Sequence, residues 1–323
     1  QTKTGSHERT NNMKNNEVKN FIGSYKSLYD RRFWNKGLIE SQLSESEWGV
    51  TDTKCSNGVC TSNVFGGARQ CYGYSLFIAY LISGEKLSSA EIESAGDGKV
   101  ISNGWTVCKN NLSSLTLEPG DIIRTGTSNI DGHSAVVWEV FNNGTFTVTE
   151  CWGGERYGCE LYWGHFNGDS NASQNYVSQI LQDARYIIKA PKTYKIRNAG
   201  SGKYLTVMTT PATDSGRVVQ LTTENTARQE WIACPSADNG HILSFLNSGL
   251  AIKYISDSDN YCRIYNHSNS DSAAINIAVN GSYYNLKTAK GGNNYYLAAD
   301  ASGSNVYWTS GDSTAYQKWS FEE

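Results

Sequence analysis

The triplet Gln229-Glu230-Trp231 returns near the end of the chain as Gln317-Lys318-Trp319, and this repeat decides the fold of the second half. A degenerate copy, Ile275-Asn276-Ile277, lies between them, so the third positions are 46 and 42 residues apart. Around the triplets, short apolar runs alternate with turn-forming Gly, Ser, Asn and Asp, which predicts strands and no helix. Three units of about forty residues, each too small to bury a core alone, predict a threefold all-β architecture.

These triplets and their spacing resemble those of the ricin-B-type β-trefoil lectin family. The resemblance implies an all-β β-trefoil over 191–323 and a carbohydrate-binding module. In the first repeat, Thr206 and Leu221 stand where the family has an acidic residue and an aromatic, so this repeat is not expected to bind sugar. The resemblance therefore favours a sugar site in the third repeat. The third-repeat residues that the resemblance assigns to sugar binding are Asp300, Asn305, Trp308 and Gln317. Glutamines of these triplets are more often structural in the family.

The first half of the chain predicts an α+β domain. Apolar residues recur at helical spacing from about Val18 to Leu43, and Tyr72–Ile82 is apolar on nearly every face, which is typical of a buried helix. The strand-like segments that follow are Asp121–Arg124, His133–Phe141, Phe146–Cys151, Glu160–Trp163 and Tyr186–Lys189. A helix followed by sequential strands predicts an antiparallel sheet. We therefore place a partly helical extension at 1–44, this domain at 45–190, and the second domain after it.

Composition narrows the class of function. The 323 residues include 28 Lys and Arg against 31 Asp and Glu, a net charge of −3 with no long basic run, so a nucleic acid or an anionic membrane is not an expected partner. The longest apolar stretch, Leu76 to Ile82, is far shorter than the roughly 18–20 residues that span a bilayer. Low charge with many small polar and aromatic residues is typical of extracellular β-rich proteins, so we predict secretion.

The eight cysteines favour structural disulfides over a metal site. The predicted bridges are Cys55–Cys60, Cys151–Cys159 and Cys234–Cys262. Zinc is the alternative, but the CxxC spacing is absent and there are only five histidines, so we expect neither a metal nor another cofactor. The two cysteines outside these bridges, Cys71 and Cys108, are then expected to be thiols.

Cys71 stands where a glycine-rich loop enters the buried helix. The helix macrodipole and the unpaired amides of the first turn favour a thiolate there. His133 begins a strand, and alternation along a later strand places Glu150 with two large apolar residues on an inward face. A buried carboxylate needs a partner, and an imidazole on the neighbouring strand would supply it. The two residues are 17 apart, which suits a hairpin with its turn at Asn142-Asn143-Gly144.

Four stretches of this half resemble the CHAP and NlpC-like cysteine amidases and peptidases, which have a papain-like fold. The stretches are Arg69–Tyr74, Leu117–Arg124, Gly132–Val137 and Val148–Glu150. Over about 60–165, the resemblance implies Cys71 as nucleophile, His133 as base and Glu150 as the residue that orients the base. Many members have an asparagine two residues after that glutamate, where this chain has Trp152. The family cleaves peptidoglycan amides and, in some branches, proteins or glutathionyl amides.

Each of the three residues also has a structural interpretation: a buried cysteine, a strand-end histidine and a strand-edge carboxylate. Asp121 and His165 are rivals for catalytic roles; Asp121 follows Pro-Gly and is expected to cap that turn, and His165 follows an aromatic segment. We predict a secreted cysteine amidase or endopeptidase, acting first on peptidoglycan and targeted by the trefoil to glycans. The alternatives are a secreted protease or toxin acting on glycoproteins, and a non-catalytic lectin or adhesin with an inactive papain-like scaffold.

Overall fold

A computed structural model of the chain divides it into two compact units. The first comprises 1–97 and 107–190, and the second comprises 98–106 and 191–323. The described residues are 15–31, 34, 65–68, 70–84, 86–101, 104–126, 132–152, 160–164, 175–224, 226–234, 241–254, 260–266, 275–311 and 314–323. The predictions for Cys55, Cys60, Cys159, His165 and the side chain of Trp152 lie outside these residues.

A central helix organises the first unit. The helices described there are α1 (Asn15–Ser24), α2 (Lys26–Tyr29), α3 (Gln70–Ser83), α4 (Ser89–Ser94) and α5 (Val177–Asp183). Helix α3 is buried along almost its whole length, which confirms the predicted buried helix. Its serines satisfy their hydroxyls within the helix, as Ser75 Oγ donates to the Cys71 carbonyl at 2.9 Å. Gly84 follows α3 with φ of 74°, the left-handed conformation that ends many helices.

The strands of the first 190 residues pair antiparallel within the first unit. They are β1 (Lys99–Val100), β2 (Thr106–Cys108), β3 (Ile122–Thr125), β4 (Ser134–Val140), β5 (Thr145–Trp152), β6 (Glu160–Trp163), β7 (Asn175–Tyr176) and β8 (Ala184–Lys189). Within the first unit the order across the sheet is β8–β3–β4–β5–β6, with β7 beside β5. The first unit therefore has the mixed helix and sheet content expected from the sequence.

Strands β4 and β5 form the predicted hairpin. They pair antiparallel, with Ala135 opposite Glu150, and Gly144 in the connecting turn has φ of 79°. The alternation argument was incomplete, because both faces of β5 are buried: Thr147 and Thr149 are buried as well as Glu150. Helix α3 contributes to this burial, since Tyr74 Oη lies 2.6 Å from Thr149 Oγ1.

The described residues of the second unit form twelve further strands. These are β9 (Lys192–Asn198), β10 (Tyr204–Val207), β11 (Gly216–Leu221), β12 (Glu230–Ala233), β13 (Leu243–Ser244), β14 (Asn247–Lys253), β15 (Arg263–Asn266), β16 (Asn276–Asn280), β17 (Tyr283–Lys290), β18 (Asn293–Ala299), β19 (Val306–Thr309) and β20 (Trp319–Glu322). They fall into three groups of four. In each group the second and third strands pair as a hairpin: β10 with β11, β14 with β15, and β18 with β19.

The remaining strands connect the three groups. Each group's last strand pairs with the first strand of the next group, β12 with β13, β16 with β17, and β20 with β9. These pairings make a threefold arrangement of hairpins on shared central strands, with one apolar core. The second unit is thus a β-trefoil-like all-β region.

The repeated triplets anchor this arrangement. The indole N–H of Trp231 donates to the Leu205 carbonyl at 3.0 Å, and that of Trp319 donates to the Leu297 carbonyl at 2.9 Å. Both indoles are fully buried, and Ile277 is buried in the degenerate copy. Each tryptophan therefore fills the core and ties the last strand of its group to that group's second strand.

The predicted Cys234–Cys262 bridge is wrong, because both residues are buried thiols. Cys234 Sγ donates to the Gly104 carbonyl at 3.4 Å, and Cys262 packs in the apolar core, where burial raises its pKa. The predicted Cys151–Cys159 bridge is wrong as well, because Cys151 is a thiol. Cys71 and Cys108 are thiols as expected, and no disulfide is present among the described cysteines. Among the helices of the described residues, none is long and apolar enough to cross a lipid bilayer.

Candidate active site and candidate sugar site

Cys71 lies in the first turn of α3, and a tight loop holds this turn in place. The loop 65–68 closes on itself, with Ala68 N donating to the Phe65 carbonyl at 2.9 Å. Gly73 packs directly against this loop, where a Cβ atom would lie 2.6 Å from the Ala68 carbonyl oxygen. The close approach requires glycine and fixes the helix start, leaving Cys71 buried at 7% exposure.

His133 and Glu150 form a buried pair beside Cys71. His133 Nε2 lies 2.5 Å from Glu150 Oε2, and the Glu150 side chain is fully buried. The imidazole also shares a hydrogen bond with the Cys71 thiol. Since Nε2 is engaged by the carboxylate, Nδ1 is the nitrogen left to face the sulfur. The structure thus brings the three predicted residues together in the order thiol, imidazole, carboxylate.

The surroundings of Cys71 favour its ionised form. Burial alone would raise the pKa of the thiol, but the opposing contributions are larger in sum and lower it. They are the charge and hydrogen bond of His133, a hydrogen bond from the backbone of Ser134, and the positive charge of Arg124. The thiolate is the nucleophilic form of cysteine, so a lowered pKa favours nucleophilic attack by Cys71.

The pKa of the His133 imidazole is raised, opposite to that of the Cys71 thiol. Burial acts to lower its pKa, but the charges and hydrogen bonds of Cys71 and Glu150 raise it to about 9. The pair is ionised where the pH is above the lowered pKa of the thiol and below the raised pKa of the imidazole. Within this window Cys71 and His133 form a thiolate–imidazolium pair.

Arg124 borders the same site, although the sequence analysis assigned it no role. It lies on β3, is 2% exposed, and its Nη1 donates to the Gly132 carbonyl at 2.8 Å and to Ser134 Oγ at 3.2 Å. The guanidinium carbon lies 4.9 Å from the centre of the Tyr72 ring. Gly132 has no room for a side chain, since a Cβ atom would lie 2.3 Å from the Thr125 carbonyl oxygen. Glycine at this position therefore lets the segment before His133 pack against β3.

Asp121 has the structural role expected of it. Its Oδ2 accepts from the Glu118 backbone N–H at 2.7 Å and from Lys189 Nζ at 2.5 Å. Its Oδ1 accepts from the Ala190 backbone N–H at 3.0 Å. These bonds cap the turn and pair the buried Lys189 ammonium. Among the described residues, no group of three His, Cys, Asp or Glu side chains is arranged to hold a metal ion.

In the second unit, two of the four predicted sugar-binding residues meet. Asn305 Nδ2 donates to Asp300 Oδ2 at 2.8 Å, and both side chains are partly exposed. Asn305 Oδ1 accepts from Arg217 Nη2 at 2.6 Å, and the Arg217 guanidinium stacks 3.8 Å from the centre of the Tyr261 ring. These contacts form a polar cluster at the turn between β18 and β19.

The other two predicted sugar-binding residues have structural positions. Trp308 is 2% exposed and packs in the core, so its ring face is not presented to a sugar. Gln317 is buried, and its Oε1 accepts from the Thr314 backbone N–H at 3.0 Å, while its Nε2 donates to the Gly311 carbonyl. It therefore closes the turn before β20. Gln229 closes the equivalent turn by accepting from the Glu224 N–H at 2.8 Å.

Alternation along β19 identifies another aromatic beside the polar cluster. Val306 and Trp308 are buried, whereas Tyr307 is partly exposed. Side chains two apart on a strand share a face, so Tyr307 lies on the same face as Asn305. Family position alone pointed to Trp308 as the aromatic sugar contact, whereas the alternation of buried and exposed residues along β19 points to Tyr307.

The comparison with known families matches the second unit. Residues 183–277 match the family described as "Ricin-type beta-trefoil lectin domain-like". This match supports a carbohydrate-binding lectin domain in the C-terminal region. It ends before the cluster at Asp300 and Asn305. No curated protein sequence matches the chain.

Solved structures similar to the chain cover about two fifths of it. They include the designed threefold-symmetric protein ThreeFoil, with 23% identity, a TM-score of 0.35 and coverage of 41% of this chain and 98% of that one. The agglutinin of Rhizoctonia solani has 15% identity, a TM-score of 0.34 and coverage of 41% and 94%. The β-trefoil lectin of the Vibrio vulnificus hemolysin/cytolysin, solved with N-acetyl-D-lactosamine bound, has 14% identity, a TM-score of 0.33 and coverage of 42% and 96%.

Proposed function

We propose that the first unit is a cysteine hydrolase that cleaves amide bonds with Cys71, His133 and Glu150. The observation that carries the proposal is the buried contact of Glu150 with His133, whose imidazole in turn shares a hydrogen bond with Cys71. A nucleophile, a base and a group that orients the base within hydrogen-bond reach are the parts that covalent catalysis requires. A fold of papain-like type belongs to the same proposal, supported by the helix-start cysteine and the antiparallel sheet beside it.

The chemistry follows from the ionised pair. The Cys71 thiolate attacks the amide carbonyl carbon, and the His133 imidazolium gives its proton to the nitrogen as the carbon–nitrogen bond breaks. The amine leaves and a thioester remains on Cys71. His133, now neutral, takes a proton from water, whose oxygen attacks the thioester; the carboxylic acid leaves and the thiolate–imidazolium pair is restored. Glu150 keeps the imidazole oriented and stabilises its positive charge.

The proposed substrate class is the amides of peptidoglycan, with glycoproteins as the second class. The resemblance of the motifs around Cys71 and His133 to CHAP and NlpC-like enzymes supports the first class. Secretion is part of this proposal because peptidoglycan lies outside the cytoplasmic membrane. The low charge and the many small polar residues support secretion. The cysteines give it no support, because the described ones are thiols.

Thiol labelling separates this enzyme from a non-catalytic scaffold. At pH 7 the full-length protein should react with iodoacetamide at Cys71 at least about tenfold faster than at Cys262, as read by peptide mass spectrometry, because the surroundings of Cys71 lower its pKa whereas burial raises the pKa of Cys262. His133→Ala should slow the labelling of Cys71 and leave Cys262 unchanged. Equal rates at the two cysteines in the unmodified protein would reject the hydrolase and favour the lectin or adhesin alternative.

For the second unit we propose glycan binding at the cluster of Asp300, Asn305 and Tyr307. The match to the ricin-type lectin family supports a sugar-binding function for this region. The cluster offers a carboxylate for sugar hydroxyls, and Tyr307 is a partly exposed ring on the same strand face as Asn305. An aromatic ring against the apolar face of a sugar, with polar groups at the rim, is the usual composition of such sites. The unit would then hold the hydrolase close to glycan-bearing substrate.

A glycan array with the full-length protein tests this site. Asp300→Ala and Tyr307→Ala should each weaken binding to any recognised glycan by at least about tenfold, since each loses about 1.4 kcal/mol or more of contact energy. Tyr283→Ala is the matched control, because Tyr283 is an exposed aromatic on β17, outside the cluster. If binding survives in both cluster variants, or falls equally in the control, the sugar site lies elsewhere.

A further inference from the structure

Arg124 is a buried charge that the proposed mechanism does not use. Its guanidinium donates to residues on either side of His133: to the Gly132 carbonyl at 2.8 Å and to Ser134 Oγ at 3.2 Å. The sheet register explains this, because Arg124 on β3 lies directly opposite Ser134 on β4. Ser134 is also the residue whose backbone donates to the Cys71 thiol. Arg124 therefore contacts the peptide segment that carries the base and one donor to the nucleophile.

A network behind Arg124 holds its guanidinium in place. The guanidinium lies over the Tyr72 ring, whose centre is 4.9 Å away. Tyr186, opposite Arg124 on β8, donates from its hydroxyl to Glu93 Oε1 at 2.7 Å, and its Oη lies 3.1 Å from Tyr72 Oη. Glu93 is paired with Arg185 at 2.9 Å. Tyr72 is neutral near pH 7, because burial raises its pKa to about 12.

Three described charges bear on Cys71. His133 and Arg124 act on its thiol directly, and Glu150 acts on it through His133. Glu93 and Arg185 are paired with each other, and their charges act on the Tyr72 hydroxyl. Arginine stays protonated at every pH used for assay, whereas the positive charge of His133 is lost during each turnover. Among the residues that the structure describes, Arg124 therefore supplies the site with a permanent positive charge.

We propose that Arg124 is a positioning residue of the hydrolase: it fixes the segment 132–134 around His133 and supplies a constant positive charge that stabilises the Cys71 thiolate. The role rests on the proposed function. It differs from a purely structural role because it affects the sulfur's charge state, which a bond that only stabilises the fold would leave unchanged. It also explains why a guanidinium is buried here, since one nitrogen bonds two acceptors while the plane stacks on a ring.

The pH dependence of Cys71 alkylation in the full-length protein tests the proposal. Arg124→Gln keeps a donor for the Gly132 carbonyl but removes the charge, so the midpoint of the iodoacetamide reaction at Cys71 should move up by about one pH unit. Arg124→Lys keeps the charge and loses the planar fork, so its midpoint should stay within about 0.3 unit while amide hydrolysis falls about tenfold. Arg228→Gln is the matched control, because Arg228 also donates to a backbone carbonyl, that of Val207 at 2.9 Å, in the other unit.

The outcomes separate this inference from the proposed function. A folded Arg124→Gln variant with the midpoint of the unmodified protein would overturn the inference. If Arg124→Gln does not fold, the lysine variant decides, and a shift of a full unit in it would overturn the role of the charge. If Cys71 in the unmodified protein titrates like an ordinary thiol, near 8.5, the proposed hydrolase itself fails, whatever the variants do.

Discussion

Replacing Cys71 with alanine is expected to abolish amide hydrolysis by the full-length protein, with a fall in rate of at least about 10⁴-fold. The reason is that the proposed thioester cannot form without the sulfur, and the neighbouring groups cannot replace it. The measurement is the release of new amino groups from purified peptidoglycan and, in parallel, from a mixture of glycoproteins. Activity that persists in Cys71→Ala on the substrate that the unmodified protein cleaves would contradict the proposed mechanism.

Glu150→Gln provides a graded control for the same assay. The amide keeps the shape of the carboxylate but removes its charge, so the imidazolium loses its stabilising partner. A fall of about 10²–10⁴-fold is expected, smaller than that of Cys71→Ala, because the nucleophile remains. The Cys71 alkylation profile should also change, since Glu150 contributes to the raised pKa of His133. Full activity in this variant would show that Glu150 is only structural.

Trp308→Ala is expected to destabilise the second unit by about 3–5 kcal/mol, the usual cost of removing a large buried aromatic. The ring is 2% exposed and lies 5.7 Å from the centre of the Tyr254 ring in the core. The measurement is the free energy of unfolding from urea denaturation of the full-length protein, followed by the fluorescence of the remaining tryptophans.

Two variants sharpen this prediction. Trp308→Phe should lose clearly less stability, because it keeps much of the apolar volume and the Trp308 indole N–H has no hydrogen-bond partner among the described residues. Tyr307→Ala should leave stability nearly unchanged while weakening glycan binding. If Trp308→Ala folds with full stability and loses only glycan binding, the ring is a sugar contact after all.

The sequence pattern predicted the second unit well because its signal is repeated. A tryptophan that both fills the core and donates to a backbone carbonyl is needed at Trp231 and again at Trp319, so the same residue types return at a regular spacing. The glutamines Gln229 and Gln317 return for the same kind of reason, since each closes a turn with its side-chain amide. The prediction that Trp308 contacts sugar rested on the family resemblance alone. Trp308 lies two residues after the apolar Val306 on the same strand face, and this alternation indicates the core.

The candidate active site was predictable where local rules apply. The hairpin turn at Gly144 and strand alternation placed Glu150 near His133, and a helix start placed Cys71. Arg124 could not be found in this way, because its contacts depend on the register between β3 and β4, which no local pattern specifies. The Cys234–Cys262 bridge failed for a similar reason: sequence gives the number of cysteines, but only the tertiary fold gives the directions of their side chains.

The short segment 98–106 belongs to the second unit although residues of the first unit lie on both sides of it in the chain. Its Gly104 accepts from Cys234 through its carbonyl, and a Cβ atom at Gly104 would lie 3.0 Å from Ile232 Cγ2 and 3.2 Å from Pro191 Cβ. A protein truncated to begin at Pro191 would therefore lack the segment 98–106, which packs in the second unit. Recombination that transferred residues 191–323 alone would leave this segment in the parent protein.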